Sequence, residues 1–442
     1  MAMSSTTALL IQHRWARDPN LLGEFEALAK TAEYTVVGTF DVVGPSSAKF
    51  GIRGGKVEEI KIWIEAQRPD VVFYSPTLKS SQMYRLKEEW KTEVRDRTQL
   101  ILEIFDKHAR TPQSKLQIEQ ARLSYELPFV RHQLNEHLDK ERSGPRPIGQ
   151  GIGPGEDPLN LRFMEIRHRI ATIEEKIQKI SESQSLKRKK RIDSGFLEVA
   201  LAGYTNAGKS TLHRALTGSE VEVADGLFTT LSTKSSDLAL EGRQVVLTDS
   251  VGFISDLPKS LLRAFNTTLM EIAEADVILL VVDGSDTVRE VQRKAGVCLD
   301  TFTRIGINGI PIVTALNKTD LIDEAGIAER LSVLNGTGSK VVPVSAKNGV
   351  NLGELVHVIE QLLPLVSRYS VELPYGDSTM SLISWLHQVG SIENQKYKED
   401  MIQIEATLSL SAAQKLFKML PHGALKRMVS GGGETSGAEW PT

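Results

Sequence analysis

The sequence predicts a multidomain α/β protein, and three observations carry that expectation. The chain has 442 residues, too many for one core, so roughly two to four domains are expected. Residues 7–105 alternate short apolar runs with amphipathic stretches, the pattern of a largely parallel sheet with helical crossovers. The apolar strand Phe196–Ala202 then runs into a glycine-bearing loop and a helical pattern, which opens a second and larger α/β domain. The expected division is an N-terminal α/β domain over 1–110, a helical hairpin over 111–192 and a central domain over 193–367. A small α+β domain over 368–425 and a disordered tail over 426–442 complete the chain.

Composition narrows the class. With 40% hydrophobic and 25% charged residues, the chain is neither disordered nor membrane-embedded. No run approaches the roughly 20 apolar residues needed to cross a bilayer, so no membrane partner is expected. Met1–Thr7 lacks a basic stretch followed by an apolar core, so no secretory signal is visible. Cys298 is the single cysteine, which allows neither an internal disulfide nor a cysteine zinc cluster and fits a reducing cytoplasm. The formal net charge is −3; any affinity for nucleic acid must come from locally clustered positive charge.

In the first domain Leu9–Ile11, Val36-Val37 and Val71–Phe73 are expected strands, and 20–31, 56–67 and 79–91 expected helices. Gly54-Gly55-Lys56-Val57-Glu58-Glu59 is taken as a glycine turn entering a helix with acidic first-turn residues, since phosphate-loop spacing is absent. Thr111-Pro112 supplies a helix cap and a first helical residue. Leu123, Leu127, Val130 and Leu134 then form an apolar stripe, with Pro128 inside it expected to kink the helix. The tract at 143–158, SGPRPIGQGIGPGEDP, interrupts helix. After it, Phe163, Ile166, Ile170, Ile173, Ile177 and Ile180 repeat at three- and four-residue steps. Two striped helices joined by that tract predict an antiparallel coiled-coil hairpin with a glycine-rich tip.

The returning arm is basic. Leu161–Ile192 holds ten Lys or Arg against four Glu and ends in Lys187-Arg188-Lys189-Lys190-Arg191. A solvated linker would explain the pentapeptide alone; a basic hairpin arm on a slightly acidic protein points instead to an RNA backbone. Beyond residue 368, a helix is expected over 378–389, a strand at Ile402, Ile404, Ala406 and Leu408, and a helix from Ser411. The end from Gly431 is expected to be disordered.

The central domain carries the chemistry. Gly203-Tyr204-Thr205-Asn206-Ala207-Gly208-Lys209-Ser210-Thr211 follows an apolar strand and precedes a helix. That is the complete phosphate-loop (P-loop) spacing in its required context. Glycines let successive backbone N–H groups turn toward phosphates, and the helix N-terminus adds positive partial charge. Lys209 can neutralise the β- and γ-phosphates, and the Ser210 hydroxyl can ligate Mg²⁺. An ordinary glycine turn does not account for Lys-Ser-Thr at that offset.

Three further elements follow in order. Val245–Leu247 leads to Asp249-Ser250-Val251-Gly252, where Asp249 can hold the metal through water and the Gly252 N–H can sense the γ-phosphate. The strand Val277–Val282 ends in Asp283, and Ile312–Leu316 precedes Asn317-Lys318-Thr319-Asp320. The Asp320 carboxylate can accept from N1–H and the exocyclic amine of guanine; adenine offers no such donor pair. Lys318 can lay its stem along the base, and Ser345-Ala346-Lys347 closes over it. This order specifies a P-loop GTPase domain with GTP/GDP and Mg²⁺ as ligands.

A switch threonine must lie between the P-loop and Asp249, and Thr229, Thr230 and Thr233 are all eligible by spacing. Phe228-Thr229-Thr230 is counted with the nucleotide contacts. The residue after Gly252 is Phe253, which has no donor or acceptor to orient an attacking water. Slow intrinsic hydrolysis, accelerated by a partner, is therefore expected.

With these motifs placed, the chain resembles the HflX family of translation-factor-like GTPases. Gly203–Thr211 matches that family, as does Asp249-Ser-Val-Gly-Phe-Ile-Ser-Asp-Leu-Pro258, a longer signature than generic GTPases share. Upstream, Asp96-Arg97-Thr98, Leu100–Phe105, Ala109-Arg110-Thr111 and Lys115-Leu116-Gln117 look like its N-terminal domain. The likeness spans about residues 8–365 and is most specific over 196–283. It implies that Thr230 is the switch threonine, joining Lys209 and Gly252 in catalysis and Ser210 and Asp249 around the metal. It also implies binding to the large (50S) ribosomal subunit and its RNA through the N-terminal domain and hairpin. Splitting or rescue of ribosomes would follow, with Gly151–Glu156 at the hairpin tip. Here the chain departs from the family's longer GIGxRGPGETxLE-like tract, running directly into Asp157-Pro158-Leu159-Asn160; Ser250 replaces a more usual Thr.

A monomeric GTP hydrolase acting on ribosomes is the leading expectation. A ribosome-assembly GTPase is the nearest alternative, and a GTP-gated protein-binding regulator that never touches RNA is a different class. Clustered Lys and Arg on the hairpin arm favour the first two, because a protein-docking hairpin has no need of them.

Overall fold

In the computed structural model the described residues are 6–143, 158–193, 196–219, 228, 234–240, 243–256, 261, 272–364, 366–420 and 424–428. Contacts divide the chain into two compact units. The first comprises Met1–Ile180, Ala224–Ser232 and Asp256–Phe265; the second comprises Ser181–Val223, Thr233–Ser255 and Asn266–Thr442.

The first unit opens with β1 (Thr7–Arg14), α1 (Leu22–Thr31), β2 (Thr35–Val43), α2 (Gly54–Gln67) and β3 (Val71–Ser75). It continues with α3 (Ser80–Trp90), β4 (Glu93–Asp96) and α4 (Arg97–His108). The sheet order is β2-β1-β3-β4, parallel throughout. β1 and β3 are nearly continuous apolar runs because helices cover both faces of a parallel sheet. Edge strand β2 alternates instead. Leu9, Ile11, Ile60, Val72, Leu86 and Val94 form the core on one side.

Helix α2 starts at Gly54 itself, behind Arg53, with no acidic residue in its first turn. The expected glycine turn with acidic first-turn residues is corrected: the glycines are the first turn, and Glu58 and Glu59 come after it. Asp96 caps α4. Its carboxylate accepts from the Gln99 amide at 3.1 Å while the Gln99 side chain accepts from the Asp96 amide at 3.2 Å. Tyr125 adds a hydroxyl donor at 2.8 Å, which ties this cap to the following helix.

That helix, α5 (Pro112–Ser143), begins behind Thr111, whose Oγ1 accepts from the Ser114 amide at 3.1 Å. It runs through Pro128. Its partner is α6 (Pro158–Asp193). Ile118, Ala121 and Val130 of one helix and Ile166 and Ile173 of the other are buried. Arg169 binds Glu119 at 2.7 Å and Arg162 binds Glu126 at 3.1 Å, so the two helices run antiparallel. Exposed pairs of this kind add little stability; here they record register. The glycine-rich tip at 144–157 lies outside the described residues, as does the tail from 429.

The second unit holds β5 (Leu197–Gly203), α7 (Lys209–Thr217), β6 (Lys234–Leu240), β7 (Arg243–Asp249) and β8 (Val277–Asp283). Then come α8 (Val288–Arg304), β9 (Ile312–Asn317), α9 (Glu324–Leu334), β10 (Lys340–Pro343) and α10 (Leu352–Leu362). The sheet order is β10-β9-β8-β5-β7-β6, parallel except for the antiparallel edge strand β6. All seven residues of β8 are buried, as a central strand covered on both faces requires. A further antiparallel sheet, β12-β13-β11-β14, is built from β11 (Val366–Pro374), β12 (Gly390–Tyr397), β13 (Met401–Ser409) and β14 (Leu425–Met428). Helices α11 (Asp377–Val389) and α12 (Leu410–Met419) cover it through Leu386, Ala413 and Leu416. No helix among the described residues is long and apolar enough to cross a membrane.

Candidate nucleotide site

The sequence motifs converge on the carboxyl edge of the six-stranded sheet, where open α/β sheets bind ligands. Gly203–Gly208 links β5 to α7, Asp249 ends β7, Asn317 ends β9, and Ser345 follows β10. Thr211 lies in the first turn of α7. Gly208 has φ +91°, and a Cβ there would meet Asn317 Nδ2 at 2.3 Å, so the loop closes only with glycine at this point.

Lys209 is buried inside the loop. Its ammonium donates to the Gly203 and Tyr204 carbonyls at 3.1 and 3.0 Å. Burial depresses its pKa, and the nearby Asp249 carboxylate opposes that shift. Ser210 Oγ donates to Asp249 Oδ2 at 2.8 Å. A hydroxyl and a carboxylate, side by side and offering only oxygen, make a donor set suited to Mg²⁺. Thr229, Thr230 and Thr233 lie outside the described residues. Phe228 is described: its ring packs edge-on to Phe105 of α4 with centroids 4.6 Å apart.

Loop and Asp249 segment are joined directly. The Thr205 amide donates to the Phe253 carbonyl at 2.8 Å, and the Phe253 amide donates to the Gly203 carbonyl at 3.0 Å. The Ser255 amide donates to the Tyr204 hydroxyl at 2.7 Å. Arg293 of α8 donates to Ser255 Oγ and lies over the Tyr204 ring at 5.6 Å. Phe253 is buried and edge-on to Phe302. Behind the loop, burial pushes the Cys298 thiol up to about 12 although Lys209 pulls it down.

At the end of β9, Asn317 Nδ2 donates to the Ala207 carbonyl at 2.9 Å, and its Oδ1 accepts from the Ala346 amide at 3.0 Å. The side chain is a bracket between loops. Lys318 pairs with Asp283 at 2.6 Å, which fixes its stem, while Ser285 donates to the other Asp283 oxygen. Ser345 Oγ donates to Asp320 Oδ1 at 2.6 Å, aiming the carboxylate. Lys347 is exposed. Sequence reasoning did not single out Ser255, Ser285 or Arg293. Their partners lie 51, 2 and 38 residues away, and no motif spacing links the distant ones.

Three family models match the chain. One described as a GTP-binding GTPase N-terminal region covers residues 20–106, and a GTP-binding GTPase middle region covers 108–191. A third, described as a 50S ribosome-binding GTPase, covers 198–318. The GTPase HflX of Thermococcus kodakarensis is 34% identical over 412 residues, covering 90% of each chain. The chain belongs to the HflX family of GTPases. The HflX protein of Methanocaldococcus jannaschii is 35% identical over 387 residues, covering 87% of this chain and 91% of its own. A solved GTP-binding protein of Sulfolobus solfataricus in complex with GDP is 26% identical and covers 81% of this chain and 98% of its own, with a TM-score of 0.43. Membership in the HflX family makes the chain a GTP hydrolase.

Proposed function

We propose that this protein is a GTP-driven factor that binds the large ribosomal subunit and its RNA and dissociates or rescues ribosomes, hydrolysing GTP to GDP and phosphate. Lys209 and the amides of 203–208 hold the phosphates, Asp320 vets guanine, Lys318 lies along it, and Ser345, Ala346 and Lys347 close over it. Asn317 acts by bracing this arrangement. Ser210, Asp249 and Thr230 would hold Mg²⁺, which when bound neutralises phosphate charge. The observation that carries the nucleotide reading is the convergence of Lys209, Ser210, Asp249 and Asp320 at one sheet edge, each aimed by a hydrogen-bond partner.

The ribosomal reading draws on the family model described as a 50S ribosome-binding GTPase and on the basic hairpin arm. Of the ten basic residues between Leu161 and Ile192, Arg162 and Arg169 are paired to Glu126 and Glu119 within the hairpin, and five of the ten stand in the run 187–191. Phe253, apolar and buried, cannot orient water, so intrinsic turnover is slow and the large subunit accelerates it. The factor works as a cytoplasmic monomer.

Co-sedimentation with purified large subunits tests the reading. Binding should require a non-hydrolysable GTP analogue and should weaken steeply between about 50 and 200 mM salt. GTP turnover should rise when subunits are added. Salt-insensitive binding to protein alone would favour the GTP-gated regulator, and unchanged turnover would remove the ribosome from the account.

A further inference from the structure

We propose that the Thr205 hydroxyl is a catalytic group for GTP hydrolysis, accepting a hydrogen bond from the attacking water and donating one to the γ-phosphate. The inference rests on the nucleotide reading above and adds a group to it. Thr205 is 5% exposed, and its Oγ1 is buried with no hydrogen-bond partner among the described residues. Leaving a buried hydroxyl without a partner is costly, and a partner supplied by the substrate would recover that cost.

The neighbouring hydroxyls are engaged within the protein. Ser210 donates to Asp249, Ser250 donates to the Leu201 carbonyl at 2.6 Å, and Tyr204 and Ser255 bond each other at 2.7 Å. Thr205 alone of this group points its hydroxyl at no protein atom within bonding distance. The Thr205 side chain also lies against the Gly252 backbone. A Cβ built on Gly252, whose N–H is expected from the motif to sense the γ-phosphate, would lie 2.9 Å from Thr205 Cγ2 and 2.8 Å from Lys209 Nζ. Thr205 therefore stands in the same small space as the phosphate-binding ammonium and the γ-phosphate sensor. Its main chain is pinned by the bond to the Phe253 carbonyl, so the hydroxyl is carried on a fixed frame.

The Phe253 side chain packs on Phe302 and offers no polar atom, so for the slow intrinsic turnover the orienting group comes from the P-loop, before any acceleration by a partner. In the step, the water oxygen bonds to the γ-phosphorus and the bond to the β–γ bridging oxygen breaks, its electron pair remaining on GDP. The water proton passes to a γ-phosphate oxygen. Thr205 is unchanged at the end.

Thr205→Val keeps the branched shape without the hydroxyl, and Thr205→Ser keeps the hydroxyl without the methyl. Single-turnover GTP hydrolysis and the affinity for fluorescent GDP are measured for both and for the wild type. The valine variant should hydrolyse about 10- to 100-fold more slowly with GDP affinity within about threefold, and the serine variant should retain most of the rate. Equal rates in valine and wild type overturn the proposal, as does equal impairment of serine and valine, which would mark a packing role. Should valine lose nucleotide, the comparison of Thr205→Ser with Thr205→Ala decides in the same way. Wild-type GDP affinity, read in the same assay, reports separately on the nucleotide site.

Discussion

Asn317 Nδ2 donates to the Ala207 carbonyl at 2.9 Å, so the residue that ends β9 also fastens the loop between β5 and α7. The same side chain accepts from Ala346. Asn317→Ala orphans a buried carbonyl and a buried amide at about 1–3 kcal/mol each. Titration with fluorescent GDP should show affinity weakened about 10- to 100-fold. Unchanged affinity would show that the loops hold their shape without the bracket.

Asp320 is aimed by Ser345 at 2.6 Å. Asp320→Asn replaces an acceptor by a donor and should cost at least about 100-fold in GTP affinity, since two donors of guanine lose their carboxylate. Xanthine carries a carbonyl where guanine carries the amine, so the variant should prefer the xanthine nucleotide. Competition between the two triphosphates measures the switch, and retained guanine preference would exclude Asp320 from base recognition.

Gly252 leaves no room for a side chain beside Lys209 and Thr205. Gly252→Ala should displace the lysine ammonium or the loop and slow single-turnover hydrolysis by about 100-fold. GDP affinity should change less, because the crowding falls on the γ-phosphate side. Equal losses in both would place the clash elsewhere.

Burial raises the Asp96 carboxyl to about 6, against hydrogen bonds from Tyr125, Gln99, Leu78 and Thr98 that favour the anion. The folded pKa exceeds the unfolded one, so the folded state holds this proton more tightly. The contribution is fully present below about pH 4 and is lost as pH rises through about 6, amounting to about 2–3 kcal/mol. Asp96→Asn should remove that part of the pH dependence of urea unfolding. An identical pH profile for the two proteins would show that Asp96 is ionised when folded.

The gathering of Lys209, Asp249, Asn317 and Asp320 at one sheet edge was legible because each follows an apolar strand at motif spacing. The strands β1, β3, β5 and β8 were legible from their apolar runs. β12, reading GSIENQKY, carries no such signal; its pairing with β13 comes from the sheet it joins. The aiming contacts of Lys318 with Asp283 and Asp320 with Ser345 were hidden for another reason: they span 35 and 25 residues and exist only after β8, β9 and β10 have aligned. The start of α2 at Gly54 was missed because glycine is a poor helix former and the extended Arg53 ahead of it provides no side-chain cap.

The burial of Cys298 behind the phosphate loop has a practical reach. At neutral pH its thiol stays protonated and shielded, so alkylating dyes will pass the native protein by. A cysteine introduced on an exposed turn of either hairpin helix would then be the one reactive handle, and a fluorophore fixed there could follow docking without first stripping the chain of its own sulfhydryl.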